Sequence, residues 1–521
     1  INHLPVEMLH EIACLLDMPN LATLVCVNKR WQVIAEAIIW RDLPSLVPLL
    51  RLLDSDAIFD KSMIVERNGD LPSNLWKEHP NLVRLAAHVR TLILHPMSDF
   101  NTDCMLDTFA TQERTGTFTM HSAFKATSTS LMKAHPLKLF PHLRTLVIGT
   151  ALRHGFPAKL LVPFINDGLT TLIAHCPVNY FHRINHSSID NFHFLERSLR
   201  RNVGQDTIAP QSLLSHPTIS VMAGRIDSLH TLKLRLLCSK DLHVLLAPGA
   251  HHLRTLDLDI RVLADPVDSY GLQGLRSLTV RKQPTAFACA LMGSPHMEEI
   301  ILLAAIIVDY NAVAQVLMKI RQDCRHSVLR RVCIRENDYT IRTVQTWYIT
   351  RSCLAALMPF HNLVEIDIST SGELSMRDVD WAAVVPRWCS LRVFKVKQIF
   401  PWRRERRPET GEAPSPATTL ASLATFATYC PYLEELGFQL HATSIPTLAG
   451  PQHALSQSRL RKLDVGHRSG INANPTLVAD FLHTLFPSLT EVTVDAKRAD
   501  IDSWNQVRQE VRRAGNAVRL L

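Results

Sequence analysis

At 521 residues the chain is too long for one ordinary compact core, so several domains or an elongated repeat architecture are expected. Hydrophobic residues make up 46% and charged residues 20%, which excludes a disordered chain. A formal charge of +8 is mild for this length and does not by itself argue for a nucleic-acid partner.

The first predicted elements are three short helices between Leu4 and Leu43. Pro5 suits the first turn of a helix, and Glu7 sits near its positive end. Leu9, Ile12, Leu15 and Leu16 follow at three- and four-residue spacing and are read as one apolar face. Pro19 and Asn20 break this helix and start a second, with Leu21, Leu24, Val25 and Val27 as its stripe. Asn28 opens a third, with Trp31, Ile34, Ala35 and Ile38, ending near Trp40. Three helices this short bury little alone. Leu4, Pro5 and Trp31 are therefore expected to be exposed and to dock against a partner, the alternative being a helical cap on the following domain.

The string Leu4-Pro5-Val6-Glu7-Met8-Leu9, continued by Ile12, Leu15, Leu21, Leu24, Val27, Lys29, Arg30 and Trp31, closely resembles the F-box. That family's pattern opens L-P-x-E, and this chain follows it without an internal gap. The resemblance implies that Leu4, Pro5, Glu7, Ile12, Leu15, Leu21, Leu24, Val27 and Trp31 dock onto a Skp1-type adaptor. Through it the chain would reach a cullin scaffold and a RING subunit.

Beyond residue 80 one unit keeps returning: apolar, two variable, apolar, one variable, apolar. It reads Val89-Leu92-Leu94, Leu143-Leu146-Ile148, weakly Leu169-Leu172-Ala174, then Leu229-Leu232-Leu234, Leu253-Leu256-Leu258, Leu275-Leu278-Val280 and Met297-Ile300-Leu302. It continues as Leu329-Val332-Ile334, Leu363-Ile366-Ile368, Leu391-Phe394-Val396, Leu433-Leu436-Phe438, Leu460-Leu463-Val465 and Leu489-Val492-Val494. The last two apolar residues alternate as a strand requires. Helix-like stretches closed by proline precede several units, such as Leu354-Leu357-Met358, Leu420-Leu423-Phe426 and Phe481-Leu482-Leu485. Strand plus helix at intervals of about 22–34 residues is the pattern of leucine-rich repeats, whose units stack because none can bury its own face. Cys430-Pro431-Tyr432-Leu433-Glu434-Glu435-Leu436 is similar to the C-P-x-L-x-x-L unit of F-box leucine-rich-repeat proteins. The Asn or Cys that the family stacks after its strands is replaced here by Ala151, Leu237 and Ser371, so the repeats are divergent.

The expected fold is therefore α/β: an F-box over 1–43, a helical linker over 44–80, and a divergent leucine-rich-repeat solenoid, or horseshoe, over 81–521. Loop insertions are expected near 111–130, rich in Ser and Thr, and 400–418, rich in Pro and charge. The apolar run Ile300 to Val308 reads as a buried strand, well short of the roughly 18 residues of a membrane span. Because the chain begins at Ile1 rather than Met, preceding sequence is expected and the lack of a signal peptide carries no weight. Eleven scattered cysteines without a C-x-x-C pair, Cys14, Cys26, Cys333 and Cys353 among them, read as buried free thiols in a reducing cytoplasmic or nuclear setting.

No nucleophile elbow, phosphate-cradling glycine loop or kinase motif set is present, so no catalytic residue and no cofactor is expected. His182, His186 and His193 could share a metal only by chance spacing, and no metal is expected. Asn185-His186-Ser187 matches a glycosylation sequon by coincidence. The basic run Trp402 to Arg407 reads first as a solvated loop, the alternatives being a nuclear-localisation patch, an acidic-partner contact or an RNA contact, and Ser415 before Pro416 is a candidate phosphorylation site beside it. In a leucine-rich solenoid the variable strand positions face the concave side. Lys233, Arg235, Asp257, Asp259, Arg331, Arg335, Glu365, Asp367 and Lys395 alternate in sign there. They either recognise a protein substrate by complementary charge or neutralise one another across strands. The expectation is a substrate receptor of a ubiquitin ligase, with no membrane contact and no nucleic acid. The alternative is a repeat scaffold whose F-box serves a non-ubiquitin assembly.

Overall fold

The computed structural model describes residues 4–43, 80–94, 140–148, 168–177, 228–238, 250–262, 270–283, 285–305, 310–336, 348–399, 418–447, 458–466, 469–494 and 501–520, with a few single positions between them. The chain divides into two compact units. The first is Ile1–Leu253 with Ile260–Ala264, and the second is Arg254–Asp259 with Asp265–Leu521. Most of the expected 44–80 linker, all of 111–130, the three-histidine segment, the basic run and Ser415 lie outside the described residues.

The first unit opens with helices α1 (Val6–Cys14), α2 (Met18–Val25) and α3 (Lys29–Ile39). The break between α1 and α2 is made by Asp17, whose carboxylate accepts the Asn20 N–H at 3.0 Å, and not by the Pro19-Asn20 pair. Asn28 caps α3 by accepting the N–H groups of Arg30 and Trp31, both at 3.0 Å. The three helices close over a small core of Leu9, Ala13, Leu21, Trp31, Ile34 and Ala35.

Strand β1 (Asp42–Leu43) follows α3 directly and is the first rung of a parallel sheet, so the sheet begins inside the 1–43 segment. Helix α4 (Pro80–Ala86) leads into β2 (Thr91–Leu94). Strands β3 (Thr145–Ile148), β4 (Thr171–Pro177) and β5 (Thr231–Cys238) complete the ladder of this unit. Their register lines up Leu43, Leu92, Leu146, Leu172 and Leu232 in one interior row. The weakest repeat, Leu169-Leu172-Ala174, forms a rung like the others.

The second unit begins within β6 (Thr255–Val262) and continues through β7 (Ser277–Arg281), helix α5 (Thr285–Leu291), β8 (Glu299–Ala305), α6 (Tyr310–Asp323) and β9 (Arg331–Glu336). A side pair of short parallel strands, β10 (Tyr348–Thr350) and β12 (Glu373–Ser375), brackets α7 (Arg351–Ala355) and β11 (Glu365–Thr370). Then come α8 (Asp378–Val384), β13 (Val393–Gln398), α9 (Ala421–Tyr429), β14 (Glu435–Phe438), β15 (Lys462–Asp464), α10 (Pro475–Leu485), β16 (Glu491–Thr493) and α11 (Ile501–Leu520). Within each unit neighbouring main-sheet strands are parallel and follow chain order, and in the second unit helices supply most of the crossovers that parallel pairing requires.

One interior row runs through Leu256, Leu278, Ile300, Val332, Ile366, Phe394, Leu436, Leu463 and Val492. Each is at most 1% exposed, and each such burial contributes about 1.5–3 kcal/mol. Immediately before most main-sheet strands, one backbone carbonyl accepts two N–H groups from the next rung. Arg41 O takes Arg90 and Thr91 at 2.8 and 3.0 Å, Arg254 O takes Arg276 and Ser277 at 2.8 and 2.9 Å, and Arg330 O takes Val364 and Glu365 at 2.7 and 3.0 Å. Behind the sheet, Trp381 of α8 packs on Phe394, Phe426 and Phe438, with ring centroids 5.5, 5.5 and 5.2 Å away.

One expectation is corrected here. Thr418, placed at the end of the 400–418 insertion, is 1% exposed and accepts the Trp381 Nε1–H at 3.0 Å, so it belongs to the core. Ser371, one of the positions read as divergent, ties the end of β11 to β9. Its N–H and its hydroxyl donate to the Glu336 carboxylate at 2.5 and 3.1 Å.

Candidate functional site

Two surfaces gather the residues singled out from the sequence. The first is the outer edge of α1 and α2. Val6, Met8, Ile12, Leu15, Met18 and Val27 are all exposed, Leu15 to 86%. A folded chain of this composition rarely leaves so many large aliphatic side chains in water, which makes the edge a candidate interaction surface. It exists because α1 carries two apolar faces. Leu9, Ala13 and Leu16 turn inward, whereas Met8, Ile12 and Leu15, again at helical spacing, turn outward. The single stripe expected from Leu9, Ile12, Leu15 and Leu16 is thus divided between core and solvent.

Pro5, Glu7, Ile12, Leu15 and Val27 lie on the exposed side, and Leu4 and Leu24 are half-buried against the core. Trp31, expected to be exposed, is only 7% exposed, and Leu21 is 2% exposed. Both hold the helices together, because three short helices need a large side chain to fill their centre. Val6, Met8 and Met18 were not singled out, although the Met8-Ile12-Leu15 spacing already signalled a second stripe. Arg30 donates to Leu4 O at 2.5 Å, tying the lead-in segment to α3. Cys14 and Cys26, expected as buried thiols, are exposed on these helices; Cys333 and Cys353 are buried. In Cys333 burial pushes the thiol pKa up to about 11, so it stays protonated at neutral pH.

A buried anchor joins this helical domain to the first rungs. The carboxylate of Glu36 on α3 is 8% exposed and meets Arg84 of α4, whose Nη2 lies 3.2 Å away and whose Nη1 makes a second, shorter contact. Gln32 Nε2 donates to it at 3.0 Å. Burial alone would raise the Glu36 pKa, but the bonds from Arg84 and Gln32 together outweigh it and leave the group below its usual value.

The second surface is the sheet face opposite the interior row. In the second unit the alternating charges read from the sequence pair with one another across strands. Arg281 donates Nε and Nη2 to the two oxygens of Asp257, both at 3.1 Å. Lys282 lies 3.4 Å from Asp259, Arg331 3.0 Å from Glu365, and Lys462 3.5 Å from Glu491. Arg335 donates Nε and Nη2 to Asp367 at 3.0 and 2.6 Å, which helps hold the guanidinium charged. Lys395 bonds Glu435 and lowers its pKa, and Lys397 bonds Asp464. Asp367 was expected to contact a partner, but its side chain is 3% exposed beneath Arg335 and Ser369, and it serves to hold Arg335. Lys233 is half-buried on β5, and Arg235 follows on the same strand.

The Lys397–Asp464 pair skips a strand, crossing β14 at Gly437. A Cβ at Gly437 would stand 3.0 Å from Lys397 Cε and 3.3 Å from both Lys395 Cγ and Asp464 Cβ. Gly437→Val is therefore expected to expel Lys397 from Asp464 at a cost of about 1 kcal/mol. A double-mutant cycle with Lys397→Met checks this. The two changes should be non-additive, and full additivity would remove the role given to Gly437.

Among the described residues no group of three or more His, Cys, Asp or Glu side chains is arranged to hold a metal ion, and no helix is long and apolar enough to cross a membrane. Residues 1–43 match the model of the F-box-like family. The chain therefore joins an F-box-like domain to a large parallel sheet with flanking helices. No curated protein matches it.

Proposed function

We propose that this chain is the substrate-recognition subunit of an SCF-type E3 ubiquitin ligase. The F-box-like domain docks a Skp1-type adaptor, and through it a cullin and a RING subunit. The repeats form a leucine-rich solenoid whose open sheet face holds a protein substrate. Catalysis lies in the partners, and this chain contributes proximity, in the cytoplasm or nucleus.

The observation that carries this reading is the exposed apolar edge of a domain matching the F-box-like model, with Leu15 at 86% exposure. Ile12→Glu combined with Leu15→Glu should leave the fold intact, since both side chains already face water. The double variant should weaken capture of purified Skp1-type adaptor roughly 100-fold, the equivalent of about 3 kcal/mol of lost apolar burial. Undiminished capture by a variant with native circular dichroism would refute the docking assignment.

A further inference from the structure

We infer that Ile301 and Leu303 of β8 form the seat for an acidic protein segment carrying a large apolar side chain. This deepens the proposal that the sheet face binds substrate, and rests on it.

In β8, Ile300 and Leu302 point into the core at 0% and 1% exposure. By strand alternation Ile301 points the other way; Leu303 lies where the register to β9 shifts, and both side chains are half-buried, unlike their core neighbours. Thr279 and Cys333 flank Ile301 in register, and Arg281 is paired with Leu303. At the Ile301 level the neighbours Thr279 and Cys333 are uncharged and buried, and at the Leu303 level β7 presents Arg281 beside the aliphatic group of β8. None of the ion pairs named above crosses β8.

The pairs on either side turn their backs to β8. Arg281 on β7 reaches away to Asp257 on β6, and Arg331 and Arg335 on β9 reach away to Glu365 and Asp367 on β11. The aliphatic strip is thus bordered on both sides by arginines, with the matching carboxylates one strand further out. The carboxylates are also the deeper partners. Arg281 is 39% exposed against 22% for Asp257, and Arg335 is 50% exposed against 3% for Asp367. Arg281 and Arg335 both spend Nε and Nη2 on their own carboxylate, leaving Nη1 for an incoming group. Glu299 is the one carboxylate on β8, and it accepts from Ser277 at 3.1 Å at the start of the strand. Ligand carboxylates therefore belong at the Arg281–Arg335 end.

Adjacent rungs lie about 4.8 Å apart, so arginines two strands apart stand roughly 10 Å from one another across the strip. An apolar side chain seated on Leu303 with carboxylates on either side of it matches that span. A central apolar anchor ringed by charge-bearing, water-excluding groups is how protein interfaces concentrate affinity, and the arginines select the sign of the partner. Nucleic acid is disfavoured because the centre of the strip is aliphatic and offers no aromatic platform for bases.

The test uses the full chain and a fluorescein-labelled heptapeptide, a central phenylalanine between runs of glutamate, followed by polarisation. The peptide should bind. Alanine in place of the phenylalanine, or Leu303→Asp in the protein, should weaken binding at least tenfold, and lysines in place of the glutamates should abolish it. Arg281→Gln serves as a second variant and should weaken binding severalfold. Each protein variant must still capture the Skp1-type adaptor, so that loss of the peptide seat is told apart from failure of the F-box assignment. Equal binding of the lysine peptide, indifference to Leu303→Asp, no peptide binding at all, or tighter binding of a single-stranded RNA at the same strip would each overturn the inference.

Discussion

Trp381→Ala is expected to lower the stability of the second unit by about 3–5 kcal/mol. The side chain is fully buried and touches three phenylalanines from three different elements: Phe394 of β13, Phe426 of α9 and Phe438 of β14. Its loss leaves a cavity that rigid rings cannot collapse to fill. It also removes the hydrogen bond to Thr418, whose hydroxyl is itself tied to Met376 O at 2.6 Å. Trp381→Phe keeps most of the apolar volume and should cost less, with about 1 kcal/mol of it from the hydrogen bond alone. Urea unfolding followed by far-ultraviolet circular dichroism measures both. An alanine variant within about 1 kcal/mol of the native chain would show that the aromatic cluster is not the centre of this unit.

Arg84→Ala should destabilise the junction between the F-box-like helices and the first rungs by about 1–3 kcal/mol, because it strands the buried Glu36 carboxylate. The upper end is limited by Arg84 itself, which is 45% exposed and screened by water. Glu36→Gln should cost less than Arg84→Ala, since the amide keeps the shape and one acceptor. The same site gives a pH dependence. The native pKa of Glu36 is lowered from the usual 4.5, so the unfolded chain takes up the proton first. The contribution is fully present above about pH 4.5 and is lost as the pH falls toward and through the lowered native value. The stability gap between native and Glu36→Gln proteins should therefore shrink on acidification below that point. A gap unchanged down to strongly acidic pH would contradict the assignment.

Much of the sheet was legible because its requirement is simple. An interior row needs an apolar side chain at every rung, and Leu256, Ile300 and Val492 announce themselves by alternation and by the leucine or methionine three residues earlier. Strand β1 was missed because Asp42–Leu43 is too short to show any period. The helical site was half legible. Met8, Ile12 and Leu15 recur as regularly as Leu9 and Ala13, and periodicity does not say which of two apolar stripes meets the core. Trp31 was misplaced for the same reason, since a large aromatic serves equally well as a core filler or a docking knob. The charged face was legible in sign but not in partnership. Pairing depends on register across strands far apart in sequence, as with Lys397 and Asp464, 67 residues apart. The burial of Asp367 depends on Arg335 folding over it, which no local pattern encodes.

The doubly used carbonyl before most strands has a consequence for how such a chain can change over time. Each rung is fastened to its neighbour by backbone groups alone, so the tie does not depend on which side chains surround it. Nor does it depend on how much chain intervenes. The Arg276 carbonyl takes the N–H of Glu298 at 2.7 Å across a short connection, and the Thr170 carbonyl takes the N–H of His230 at 2.8 Å across a far longer one. Because each doubling of a connection adds only about 0.6 kcal/mol of closure cost, material can be inserted between rungs with little penalty. The scaffold thus separates what must be kept from what can vary, leaving the connections free to acquire new partners while the ladder stays in step.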